Sequence, residues 1–231
     1  MILIIKKRFL YFLLLLIVII FIIGNSILIV AANKITNNQN NYTILIEIDE
    51  KKLYLFEDDQ LIKAYSIASG ALNTPSPIGT WKITDKGKWG NGFGGYWLGL
   101  DVPWGTYGIH GTTSEWSIGR AASHGCIRMY NNDIKELYNT VPIDTPVIIT
   151  NGTYGPFGTG FKDLKPGDRG SDVLAVQERL KELGYFDGKL SGIYGEDLLD
   201  AVNRFQADSD LKIKNTITHE DYGAMGLIEF E

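Results

Sequence analysis

The chain has 231 residues, 45% of them hydrophobic, and carries 27 Asp and Glu against 22 Lys and Arg, a formal charge of −5. That length has room for a membrane segment and two modest domains, and the acidic balance argues against a nucleic-acid partner or a polybasic membrane-surface role. A single cysteine, Cys126, excludes any disulfide within the chain.

Residues 1–32 hold three bases, Lys6, Lys7 and Arg8, and no acid. Phe9 to Ile23 is unbroken apolar sequence, and after Gly24-Asn25-Ser26 the run resumes from Ile27 to Ala32. About 24 such residues, at ~1.5 Å each, suffice to cross a ~30 Å hydrocarbon core. Residues 1–32 therefore read as a cytoplasmic basic flank and one transmembrane helix, with the rest on the extracytoplasmic side. A cleaved signal peptide is the competing reading, with Val30-x-Ala32 as its site, but the apolar core exceeds the usual length of about 7–15 residues. No cysteine directly follows the run, so an N-terminal lipoprotein anchor is not expected. Beyond residue 32 the balance is 19 bases against 27 acids.

Asn33 to Asn41 is polar and Asn-rich, a spacer off the membrane. From Tyr42 the pattern turns to β. Thr43 to Ile48 and Lys52 to Phe56 are β-branched and aromatic, with Asp49-Glu50-Lys51 as a hairpin turn. Further strands are expected over 61–68, 80–84, 95–100, 107–110 and 146–150, with one short helix from Asn132 to Tyr138. Residues 42–150 thus form a mainly-β, sandwich-like or barrel domain. Residues 151–162 begin with four glycines and a proline in ten positions and read as a linker. Residues 163–227 are helical. Ser171 is placed to cap a helix running to Leu183, with Val173, Leu180 and Leu183 on one side and Gly184 as its stop. Leu198, Ala201, Val202 and Phe205 mark a second helix. Thr218-x-x-Asp221 starts a third, short one carrying Tyr222 and Met225. These make a three-helix bundle, present once and with no internal repeat.

The chemistry gathers at Cys126, which lies in Ser123-His124-Gly125-Cys126-Ile127-Arg128-Met129, with His110-Gly111 upstream. Two of the three histidines thus accompany the only thiol, which suits a nucleophile and its base better than an inert buried cysteine. A thiol attacks as thiolate, and with a free pKa of about 8.5 it needs help to ionise near neutrality. A thiolate–imidazolium pair would supply that help. His110, coming from a separate strand, is the expected base, and His124 shapes the site or touches substrate. Gly125 lets the backbone turn before the nucleophile, so that N–H groups of Cys126 and its neighbours would face an oxyanion. Gly111 and Ser123 belong to the same shaping set. Arg128 suits a substrate carboxylate. Zinc held by His110, His124 and Cys126, with His219 or an Asp as fourth ligand, lacks any metal-binding spacing. His219 reads as a solvated surface residue, and no metal or cofactor is expected.

Those two motifs in that order resemble the signature of the L,D-transpeptidase catalytic domain, the YkuD family. Thr74-Pro75-Ser76-Pro77-Ile78-Gly79-Thr80-Trp81 resembles a second segment of that family, and the likeness covers residues 42–150. The resemblance implies a sandwich-like fold and acyl transfer through a thioester on Cys126. It makes His110 the base, oriented through a backbone carbonyl near Gly111. It also implies peptidoglycan stem peptides as substrates, cut after the L-centre of a diamino acid and joined to a D-centre amine, and acylation of the cysteine by carbapenems. With water as acceptor the same site would act as an L,D-carboxypeptidase or endopeptidase; a non-catalytic wall anchor is the remaining alternative. Residues 163–227 resemble the peptidoglycan-binding domain type 1 in Gly167-Asp168-x-Gly170-Ser171-Asp172-Val173, Gly192-x-Tyr194-Gly195 and Ala201-Val202-x-x-Phe205-Gln206. They depart from it at Leu198 and at Lys214-Asn215, where an Asp-Gly turn is usual. This resemblance implies a unit that binds wall glycan or stem peptide, and the glycine-rich linker at 151–160 allows it to move independently.

Overall fold

The computed structural model describes residues 41–228. The anchor and spacer expected up to residue 40 lie outside the described residues. Among those described, no helix is long and apolar enough to cross a membrane.

Nine strands follow: β1 (Tyr42–Glu47), β2 (Lys52–Glu57), β3 (Gln60–Gly70), β4 (Gly79–Gly87), β5 (Trp97–Leu100), β6 (Tyr107–Gly111), β7 (Ala121–Ser123), β8 (Ile127–Met129) and β9 (Pro146–Thr150). Alternation sets their faces: Ile44 and Ile46 of β1 and Leu53 and Leu55 of β2 point into the core. The hydrogen-bonded order is β2-β1-β9-β4-β5-β6-β8-β3-β7, and β2 also pairs with β3. The long β3 makes this possible. It pairs with β2 up to Ser66, then passes to β8 from Ile67 and to β7 from Ser69. Eight strands therefore close into a barrel-like circuit, which removes the free edges that two separate sheets would leave. The three-residue strands β7 and β8 are too short to show any alternation, and they bracket Gly125 and Cys126.

Helix α1 (Asn131–Thr140) packs Ile134 and Leu137 against the barrel. The helical unit consists of α2 (Ser171–Glu182), α3 (Glu196–Asp208) and α4 (His219–Ala224) around Leu164, Val173, Val176, Leu180, Leu198, Val202 and Tyr222. Two expectations need correction. Ser171 is the first residue of α2 rather than its cap, which is Gly170. Leu183 is not on the buried side: it follows the last helical turn and is 37% exposed, while Val176 takes the core position. Gly184 does stop the helix, in the left-handed conformation at φ +83°. Thr218 and Asp221 form the capping box of α4, and the Asp221 carboxylate accepts from the Thr218 N–H at 2.7 Å.

The segment between barrel and helices is more than a loose tether. Its aromatic residues give it an anchor: Phe157 and Phe161 pack on each other and on Tyr222. The helical unit also meets the barrel directly. The side chain of Leu174 packs against the barrel core, and Gly192 rests on the ring of Trp104, where an added Cβ would lie 2.2 Å from Trp104 Cε3. Only glycine allows that approach.

Candidate active site

Strands β6 and β8 run parallel, with Ile109 opposite Ile127 and His110 opposite Arg128. Ile109 and Ile127 fill the barrel core. Alternation then puts Gly108, His110 and Arg128 on the other face, with Cys126 directly before β8. Cys126 is half-buried and its sulfur takes a backbone hydrogen bond from Gly108. Gly108 has no room for a side chain, since a Cβ there would lie 2.6 Å from both the Trp97 ring and the Leu98 carbonyl.

His110 is buried, and its Nδ1 lies 2.6 Å from the carbonyl oxygen of Gly111. A carbonyl only accepts, so Nδ1 carries the proton and Nε2 keeps its lone pair. The ring is walled by aromatics. Phe93 meets it edge-on with centroids 4.9 Å apart, Trp97 lies at 5.8 Å, and Trp89 stacks on Trp97 at 4.5 Å. Burial pushes the His110 pKa down; the Gly111 hydrogen bond opposes this and the Arg128 charge adds to it. Burial pushes the Cys126 thiol up, against the Gly108 hydrogen bond and Arg128, which both favour the thiolate. Both net directions favour neutral forms. The surroundings thus oppose the expected standing thiolate–imidazolium pair and favour a thiol and an imidazole.

The turn before Cys126 is closed by Ser123. Its hydroxyl donates to the Cys126 carbonyl at 2.6 Å and accepts from the Gly125 N–H at 3.0 Å. The Gly125 N–H is therefore engaged and is not a free oxyanion donor; the role of Gly125 is conformational. Its φ is +115°, and a Cβ would lie 2.6 Å from Tyr107 Cε1. His124 is exposed on the rim. Gly111 orients His110 through its carbonyl, and its Cα side abuts Asn131, whose Oδ1 would be 2.5 Å from an added Cβ. Arg128 is half-buried and makes one long contact, Nη1 donating to the Ala122 carbonyl at 3.5 Å, with no ion pair among the described residues. His219 is exposed on α4. Among the described residues no cluster of three or more His, Cys, Asp or Glu is placed to hold a metal ion.

Sequence reasoning passed over the aromatic wall. Its signal lies in residues 87–95, where five glycines surround Trp89 and Phe93, two large apolar residues left about 40% exposed. It also passed over Gly108, whose importance depends on a neighbouring strand.

Comparison with known proteins follows the same division of the chain. Residues 41–149 match the family described as the L,D-transpeptidase catalytic domain, and residues 169–213 match that described as "Putative peptidoglycan binding domain". A Bacillus licheniformis protein named "Putative L,D-transpeptidase YkuD" is 44% identical over 110 residues, 47% of this chain and 66% of the relative. The Bacillus subtilis protein named "Putative L,D-transpeptidase YqjB" is 33% identical over 125 residues, 47% of this chain and 70% of the relative. Among solved structures, an L,D-transpeptidase from Mycobacterium smegmatis aligns at 19% identity with a TM-score of 0.41, over 48% of this chain and 59% of that one. The chain spans just under two thirds of the length of the Bacillus licheniformis relative.

Proposed function

Because the chain belongs to the L,D-transpeptidase family through its barrel, we propose that it acts as a cysteine acyltransferase on peptidoglycan stem peptides. The observation that carries this reading is the arrangement of β6 and β8, which presents a thiol, a singly protonated imidazole and a half-buried guanidinium on one face. The Cys126 sulfur attacks the carbonyl that follows the L-centre of the stem's diamino acid, while His110 Nε2 takes the thiol proton. Collapse of the tetrahedral intermediate expels the D-amino acid, whose amine takes that proton back from His110. A thioester remains on Cys126. An acceptor amine then attacks the thioester, loses its proton to His110, and leaves as the new amide; the proton returns to the sulfur. Arg128 holds a substrate carboxylate and favours charge on sulfur during attack. Water in place of the amine gives the hydrolytic variant of the same cycle.

The helical unit is proposed to hold the enzyme on wall material, and the N-terminal basic flank to keep the catalytic part outside the membrane. A purely non-catalytic anchor is disfavoured because it gives no use to the oriented His110.

Intact-protein mass spectrometry tests the central step. The full chain incubated with a stem tetrapeptide, or with a carbapenem, should gain one acyl group, and Cys126→Ala should gain none. Losing the nucleophile should cost several orders of magnitude in rate. An adduct that persists in Cys126→Ala overturns the assignment. Muropeptide analysis after incubation with purified wall then distinguishes amine from water as acceptor.

A further inference from the structure

A cleft of about 370 Å³ lies between the barrel and the helical unit. One wall is the Asn73–Pro77 run with Trp104, Tyr107 and His124; the other is Arg169–Ser171, at the start of α2. The barrel wall is continuous with the nucleophile's turn. Thr74 Oγ1 donates to the Ser123 carbonyl at 2.9 Å, and Gly125 sits against both the Tyr107 ring and the Pro75 carbonyl. His124 stands two residues from Cys126. The cleft therefore ends where acyl transfer would begin.

The opposite wall is held firmly. Gln177, fully buried, accepts from the N–H groups of Ser191 and Gly192 at 3.0 and 2.8 Å and donates to the Ile193 carbonyl at 3.0 Å. This clamps the loop that seats Gly192 on Trp104. Arg169 pairs through its backbone with Ile193 in that same loop, and its side chain is exposed. No acid lines the cleft. The two nearest in sequence are engaged elsewhere: Asp168 accepts from the Lys165 N–H at 2.9 Å, and Asp172 pairs with Lys162 at 3.0 Å. The cleft is thus a groove with aromatic and proline residues on one wall and, on the other, one cation that pairs with no acid among the described residues.

We infer that the helical unit is a direct part of the substrate site: the cleft binds a carboxylate-bearing segment of the stem peptide, and Arg169 recognises that carboxylate. This rests on the proposed acyl transfer and adds to it a binding residue from outside the catalytic domain. The helical unit then does more than concentrate the enzyme on the wall, because it contributes to each encounter with a soluble stem.

The test uses the full chain and two synthetic stem tetrapeptides, one with its carboxylates free and one with them amidated. The rate of Cys126 acylation is followed by mass spectrometry over a range of peptide concentrations. Arg169→Glu should raise KM for the free-carboxylate peptide about tenfold with little change in kcat, as loss of one charge-assisted contact does. Arg169→Lys should restore most of that loss. KM for the amidated peptide should be high already and insensitive to Arg169→Glu. If wild type is acylated but Arg169→Glu leaves KM for the free peptide unchanged, or raises KM equally for both, the inference is overturned and the proposed function stands. If wild type is acylated by neither peptide, the proposed function falls and this inference with it.

Discussion

His110 and Cys126 sit where burial disfavours charge on either, and the pH dependence of acylation follows from that. In the proposed acyl transfer the base is neutral His110. Its pKa is pushed down, so protonation removes it only below the ordinary imidazole value of about 6.5. The acid limb of kcat/KM should therefore fall below pH ~6.5, and a limb at or above that value would contradict the buried, neutral base. The thiol is pushed up, so in the free chain the rate of alkylation by iodoacetamide should keep rising with pH beyond the ordinary thiol range. Arg128 disfavours imidazolium and favours thiolate; Arg128→Gln should shift both titrations upward, readable in the same two experiments. Gly125 makes a separate prediction. Alanine there would take the left-handed φ with strain and press its Cβ into Tyr107. Gly125→Ala should cost about 10²-fold in acylation through misplacement of Cys126 while the barrel stays folded. Full activity in a folded Gly125→Ala chain would show that the turn has slack.

At the scale of elements, the two departures from the peptidoglycan-binding pattern have structural roles. Leu198 is fully buried in the helical core. Asn215 adopts φ +57°, the left-handed position a glycine would otherwise fill, and its carbonyl accepts from the Tyr194 hydroxyl at 3.2 Å. The preceding Lys214 donates its N–H to Gln206 Oε1 at 3.1 Å. Gln206 in turn donates to the Thr216 carbonyl at 2.9 Å and to the buried Asp221 carboxylate at 2.8 Å. One amide thus joins α3, the turn and α4. Gln206→Ala should leave these partners unsatisfied and destabilise the helical unit by about 3 kcal/mol. Hydrogen exchange at the amides of α4 should report that loss first, and unchanged protection there would mean that the network is dispensable.

At the scale of the whole molecule, Trp104 joins the two parts. It is buried against Trp81 and Tyr107 within the barrel and against Gly192 of the helical unit. Gly192→Val should force the loop off that ring. Proteolytic cleavage within residues 151–162 should then quicken, and KM for a stem tetrapeptide should rise, while acylation by a small compact donor such as a carbapenem proceeds at the wild-type rate. If cleavage and KM both stay unchanged, the contact is incidental to how the parts dock.

Some of this was determined by sequence alone, because it depends on neighbours along the chain. Hydrophobic alternation marked β1 and β2, the 3.6-residue period marked α3, and the Thr218–Asp221 spacing marked the start of α4. The residue types around Cys126 carry the acyl-transfer chemistry proposed for it. Tertiary structure decided what depends on residues distant in sequence. Pairing of β2 with β3 closed the barrel, and the β6–β8 register put Gly108 beside the sulfur. A ring of aromatics from residues 89–97 buried His110, and that burial pushes its pKa down. The seating of Gly192 on Trp104 carried Arg169 to the rim of a cleft that begins at His124. Such contacts leave no periodic trace in a sequence, because burial and desolvation are properties of the assembled surroundings and not of any one segment.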